Sequence, residues 1–221
     1  MATLASALLV KNEADKYLER VLRHCLEYSD KVLVLDDGST DESRDIAKRL
    51  GCSVRQRSGE SFWGTGEVPA RRELWEWMEQ ECDWGLVTDA DMLLEGDVRA
   101  LTETWECTAW AFPLVDLWDS EDTFRVDGAW QFGPTHPRPW LFRPSALQVA
   151  PVWNEGCVHV GHSPANFAEA GPTFVAPPDV FWKHLSYVKR EHRERKAAAY
   201  ASVAHTMSDF QRQHAASILD E

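Results

Sequence analysis

Three short polar clusters each follow an apolar run and carry the residue types that handle phosphate and metal. Lys11-Asn12-Glu13 follows Leu4–Val10, Asp36-Asp37-Gly38-Ser39 follows Lys31–Leu35, and Asp89-Ala90-Asp91 follows Trp84–Thr88. Carboxylates gathered in one place repel each other, which costs stability unless a cation or a hydrogen-bonding ligand sits among them. Asp89 and Asp91 offer two carboxylates around a one-residue spacer. Hard divalent cations such as Mg²⁺ and Mn²⁺ take oxygen ligands and commonly bridge one or two carboxylates to a diphosphate. Such an ion neutralises the charge that develops on a departing nucleoside diphosphate. An isolated Asp-x-Asp also suits a turn or a helix start. Its place after a buried strand, with acidic clusters at equivalent positions, favours the metal.

These clusters meet only if the chain between them folds into a suitable scaffold. Leu18, Val21, Leu22, Cys25 and Leu26 follow the spacing of an amphipathic helix. Ser39, Thr40 and Asp41 are N-cap candidates for a helix carrying Ile46, Ala47 and Leu50, with Gly51 at its C′ position. Cys52–Arg55 reads as a short strand. Gly59, Gly64 and Gly66 make a flexible loop, and Pro69 opens a helix through Leu74, Trp77 and Met78. Strands alternating with such helices predict βαβ units and a mainly parallel α/β sheet. In open sheets of that kind, ligands bind beyond the carboxyl ends of the strands, where the three clusters lie.

From about Cys107 the pattern loosens. Short β-like pieces, Ala109–Val115 and Trp140–Arg143, stand between turns rich in Pro and Gly, and Ala197–Ala204 is rich in helix formers. No repeat or linker interrupts the 221 residues, so a single domain over 1–221 is expected. A net charge of −13 disfavours nucleic acids and anionic membranes unless a basic patch intervenes, and the stretch from Lys183 to Lys196 is the candidate. No apolar run is long enough to span a membrane. Met1–Val10 lacks a basic leader and reads as a strand rather than a signal peptide. Five scattered cysteines without a C-x-x-C pair suit reduced thiols and a cytoplasmic setting. Eleven tryptophans exceed what a core of this size needs, and aromatic rings also stack on the apolar faces of sugars.

Leu8-Leu9-Val10-Lys11-Asn12-Glu13-Ala14, Val34-Leu35-Asp36-Asp37-Gly38-Ser39-Thr40-Asp41, Ala70-Arg71-Arg72 and Val87-Thr88-Asp89-Ala90-Asp91 occur in the order of the motifs of family 2 glycosyltransferases. The first hundred residues thus resemble that family, and four ordered motifs are more specific than any one. The resemblance implies a GT-A fold: a Rossmann-like half, 1–106, with a mixed, mainly parallel sheet that binds a nucleotide sugar. An irregular acceptor half, 107–221, follows and ends in a C-terminal helix. It implies that Asp37 or Asp36 bonds the nucleobase and that Val10, Asn12 and Glu13 line the base and ribose pocket. Arg71 would contact the nucleotide, and Asp89, Ala90 and Asp91 would hold ribose and metal. Arg72 stands where the family has Asn.

The second half resembles the lipopolysaccharide-core and cell-envelope branch. Trp140-Leu141-Phe142-Arg143, Gly156-Cys157-Val158-His159-Val160 and His184-Leu185-Ser186-Tyr187, followed by Lys196 and Tyr200, match its motifs, with Val160 in place of Glu. His184 would complete a Mn²⁺ or Mg²⁺ shell with Asp89 and Asp91. Inverting transfer needs a base for the acceptor hydroxyl. Glu155 is the first candidate, beside Trp153, where desolvation raises a carboxyl pKa; Asp116, Asp119 and Asp127 are the others. The resemblance implies a UDP-sugar donor and leaves the acceptor open among a glycan, a small molecule, a protein and modified DNA. Two other readings remain: a haloacid-dehalogenase-type phosphatase with Asp89 as nucleophile, and a non-catalytic GT-A-like binding module.

Overall fold

The computed structural model describes residues 1–57, 61, 66–154 and 161–220. Its strands are β1 (Leu4–Val10), β2 (Lys31–Asp36), β3 (Ser53–Gln56), β4 (Trp84–Thr88), β5 (Met92–Glu95), β6 (Ala109–Phe112), β7 (Leu114–Asp116), β8 (Arg138–Phe142), β9 (Thr173–Val175) and β10 (Phe181–His184). Its α-helices are α1 (Leu18–Tyr28), α2 (Ser43–Arg49), α3 (Val68–Glu81), α4 (Val98–Leu101), α5 (Phe132–Thr135), α6 (Arg190–Val203) and α7 (Asp209–Ala216).

The main sheet runs β3-β2-β1-β4-β8-β6-β9. The βαβ half is parallel throughout, with β1 between β2 and β4 and β3 outside β2. β8 from the second half then joins β4 antiparallel, so both halves share one sheet. A small second sheet, β5-β10-β7, stands where β4 has just ended. All seven residues of β1 are buried, as a central strand covered on both faces requires. Its side chains alternate: Leu8 and Val10 pack with α1 and α2, whereas Ala5, Ala7 and Leu9 pack with α3.

Most of the expected elements form, and the departures have physical causes. Leu26 is 39% exposed, because it sits at the edge of the α1 stripe formed by Leu18, Val21, Leu22 and Cys25. The expected strand over Ala109–Val115 is two strands in two sheets. Pro113 divides them; it has no N–H for a ladder, and its carbonyl accepts from Trp182 N. Gly51 takes the expected left-handed conformation at φ +84°. Of the three N-cap candidates only Asp41 serves α2, accepting from Ser43 N at 2.9 Å. Ser39 and Thr40 are used elsewhere, as described below. The C-terminal segment is a pair of helices rather than one. Ser208 starts α7 with a capping box to Gln211, and Trp130, Tyr187, Tyr200, Val203, Met207 and Ile218 pack the pair down.

Candidate active site

The loops after β1 and β2 are stitched to each other by the polar residues of their motifs. Asn12 sits at φ 52°, a conformation Asn tolerates better than most residues. Its Oδ1 accepts from Thr40 N at 2.8 Å, and its own N–H donates to Ser39 Oγ at 3.0 Å. Glu13 N donates to Ser43 Oγ, and Ala14 N to Asp41. Asp36 is fully buried and accepts from Gly38 N and Ser39 N, which builds the turn at Gly38 (φ +79°). Asp37 is paired with Arg57 at 2.6 Å and bonded by Ser61. Val10 is in the core, and its carbonyl accepts from Asp37 N. Much of both motifs is therefore spent on shaping the rim.

Beyond that rim lies a cavity of about 850 Å³. Of the expected nucleotide and metal residues, Asn12, Glu13, Arg71, Asp89, Ala90, Asp91 and His184 line it. The side chains of Val10, Asp36 and Asp37 are instead committed to core and turn. Arg71, on the first turn of α3, points two buried guanidinium nitrogens, Nε and Nη1, at no hydrogen-bond partner. Its Nη2 lies 3.5 Å from Asp89, and His162 Nε2 lies 3.6 Å from the other Asp89 oxygen. A buried guanidinium with unfilled donors is suited to phosphate oxygens.

The second carboxylate of the pair is placed differently. His184, at the end of β10, donates from Nδ1 to Asp116 at 2.6 Å, while its Nε2 lies 3.2 Å from Asp91 Oδ2. Ser186 Oγ also donates to that oxygen, and Lys196 Nζ donates to Ser186 Oγ at 2.9 Å. The backbone fixes the approach, because Leu185 N donates to the Asp91 carbonyl at 2.8 Å. Burial and Lys196 would lower the imidazole pKa, but Asp91 and Asp116 outweigh them and push it up to about 9. Burial would raise the Asp91 carboxyl, but the charge and hydrogen bond of His184 hold it well below the usual carboxylate range.

This donor set fits a divalent ion. Asp116 fixes His184 so that Nε2 faces Asp91, the carboxylate–histidine arrangement that orients metal-binding imidazoles. Ligand atoms of an octahedral ion at about 2.1 Å sit about 3 Å apart, close to the observed separation. Asp89 is engaged by Arg71 and His162, and among the described residues no three acidic, His or Cys side chains converge as a ready ligand set. Asp91 and His184 would be the protein ligands, with phosphate oxygens and water completing the shell, as Mg²⁺ commonly has it.

The remaining expectations are distributed unevenly. Glu155 lies outside the described residues; Trp153, just before it, is buried, and Gly161 and His162 beyond it line the cavity. Asp116 is in the cavity wall but committed to His184. Asp119 pairs with Arg193 and Asp127 with Arg125, both on exposed carboxylates away from the cavity. The basic stretch splits as well. Lys183 pairs with Glu95, Arg193 is buried, and Lys196 enters the cavity. Sequence reasoning missed His162, which carries no motif, and Ser186, which was visible inside the His184–Tyr187 motif but given no role.

Glu13 provides a test of this environment. Burial raises its carboxyl to about 7, against the opposing pull of Lys16 at 2.8 Å. Between pH 4.5 and 7 the folded protein therefore keeps a proton that the unfolded chain has released, and stability falls as pH rises through that window. Glu13→Gln cannot titrate. Its stability relative to the parent is expected to rise by about 3 kcal/mol from the lower to the upper end of the window, read from urea unfolding at each pH. A difference that stays flat with pH would contradict the burial of this carboxyl.

Residues 7–106 match the family model for Glycosyl transferase family 2. No curated protein matches the chain. Among solved structures, glucosyl-3-phosphoglycerate synthase from Mycobacterium tuberculosis, in complex with Mn²⁺ and uridine-diphosphate-glucose, is 15% identical. The match covers 92% of this chain and 77% of that one, with a TM-score of 0.52. S. aureus TarS 1–349 is also 15% identical, with 98% and 69% covered and a TM-score of 0.57. Mannosyltransferase PcManGT from Pyrobaculum calidifontis, in complex with GDP-Man and Mn²⁺, is 15% identical, with 99% and 70% covered and a TM-score of 0.50. At such identities the likeness is one of fold, and the fold is GT-A.

Proposed function

We propose that this chain, whose first half is a glycosyl transferase family 2 domain, moves a sugar from a nucleotide-diphosphate sugar to an acceptor hydroxyl with inversion. The observation that carries this reading is the pairing, in one cavity, of unfilled Arg71 donors with the Asp91–His184–Asp116 array. Arg71 would bind the phosphates, and Asp91 and His184 would hold Mn²⁺ or Mg²⁺. The ion would supply charge neutralisation for the leaving diphosphate. The three solved neighbours support a nucleotide sugar, two of them holding UDP-glucose or GDP-mannose with Mn²⁺; UDP-sugar is the first donor to try. The family match favours sugar transfer over phosphatase chemistry on Asp89 and over a non-catalytic module.

In the reaction the acceptor oxygen bonds to the anomeric carbon as the bond to the diphosphate breaks, and the hydroxyl proton passes to a base. Glu155 is the proposed base, because the chain that follows it enters the cavity wall at Gly161 and His162. A saccharide is the proposed acceptor. Phe132 and Phe210 line the cavity with rings 43% and 52% exposed, apolar faces on which a sugar can stack. The net charge of −13 disfavours DNA. Residues 1–106 would serve the donor and 107–221 the acceptor. No helix of the described residues is long and apolar enough to cross a membrane, and the scattered cysteines favour a cytoplasmic setting.

The test is calorimetric titration with UDP, GDP, CDP and dTDP, each with and without Mn²⁺. One of them is expected to bind, and only with the metal. Failure of all four would remove the reading. With donor and acceptor in hand, Glu155→Gln is expected to lower turnover by about 10²–10⁴-fold at unchanged nucleotide affinity; unchanged turnover would transfer the role to Asp116.

A further inference from the structure

Lys196 is the one residue of the basic stretch that reaches the Asp91–His184 pair, and it does so from α6, twelve residues beyond His184. Its Nζ lies 2.9 Å from Ser186 Oγ, 3.3 Å from His184 Nε2 and 4.7 Å from the centre of the Tyr187 ring. Ser186 in turn donates to Asp91 Oδ2, the same oxygen that His184 approaches. The ammonium therefore stands beside the two atoms that would ligate a divalent ion. An ammonium and a divalent ion cannot share that place, because two cations a few ångströms apart in a partly buried site repel strongly. The ion needs His184 Nε2 bare, whereas Lys196 crowds it.

Resting on the glycosyltransferase reading, we propose that Lys196 is the built-in cation of this site and exchanges with the divalent ion. While the ammonium holds Ser186, it neutralises Asp91 and keeps the pair in order. Entry of a divalent ion drives the ammonium off the pair, and the nearest new anion for it is the diphosphate of the donor, in the same cavity. Lys196 would thus disfavour metal without nucleotide and favour nucleotide once metal is bound, making the two ligands depend on each other. Its four-carbon stem and compact charge suit such a move better than a planar guanidinium held in a fork.

Mn²⁺ binding followed by electron paramagnetic resonance, without any nucleotide, reads the exchange directly. Lys196→Met is expected to bind Mn²⁺ at least tenfold more tightly than the parent, while Lys196→Arg, which keeps the charge, stays within a fewfold of it. UDP is expected to tighten Mn²⁺ binding in the parent by tenfold or more, and Lys196→Met is expected to lose most of that gain. Equal or weaker Mn²⁺ binding by Lys196→Met, including no binding at all, would overturn the proposal. UDP titration of the same samples separates that failure from failure of the glycosyltransferase reading. A parent that binds UDP only with Mn²⁺ keeps the reading even when Lys196→Met leaves metal affinity unchanged.

Discussion

Asp91→Asn is expected to abolish Mn²⁺-dependent nucleotide binding and to lower sugar transfer by about a thousandfold or more. The side chain loses its charge but hardly changes shape, so the backbone bond from Leu185 N to the Asp91 carbonyl stays in place. What disappears is the anion that His184 faces at 3.2 Å and that Ser186 bonds. A neutral amide oxygen is a poor ligand for a hard divalent ion beside a second cation. Metal stabilisation of a leaving diphosphate is worth several kcal/mol, and each 1.4 kcal/mol is about tenfold in rate. Calorimetry with the preferred nucleotide and Mn²⁺ checks the binding, and an unchanged circular dichroism spectrum shows the fold intact. Parent-like affinity would place the metal elsewhere.

Trp75→Ala is expected to cost about 3–5 kcal/mol of stability, the range for truncating a large buried aromatic. Trp75 is fully buried, and its ring meets Phe142, Trp153 and Phe167 edge-on at centroid distances of 5.5, 6.3 and 5.3 Å. It sits one turn beyond Arg71 on α3, so this cluster fixes the helix that aims the guanidinium. Trp153 and Phe167 also flank the segment that carries Glu155, which ties the base to the same packing. The expected shift in midpoint is roughly 10 °C for a domain of this size. Urea and thermal unfolding check it, with Trp75→Phe as the milder control. A loss below about 1 kcal/mol would mean that the cavity wall does not depend on this cluster.

The sequence by itself determined whatever depends on neighbours along the chain. Apolar runs became β1, β2 and β4, a helical stripe became α1, Gly51 ended α2, and Pro69 began α3, because periodicity and turn chemistry act over a few residues. Strands alternating with helices also implied that the three polar clusters share one edge, since parallel strands all end on the same side. The tertiary structure decided what those residues do there. Asp36, Ser39, Thr40 and Asp41 looked like ligand contacts and caps, yet they chiefly tie two loops together. His184 reaches Asp91 across 93 positions, and Asp116 and Lys196 reach His184 from either side, because β10 lies between β5 and β7 with α6 folded over the cavity. Spacing along a chain carries no information about such distances. They are set by which strands pair and how helices pack on them, and so a motif could name the residues while only the fold could say which ones meet.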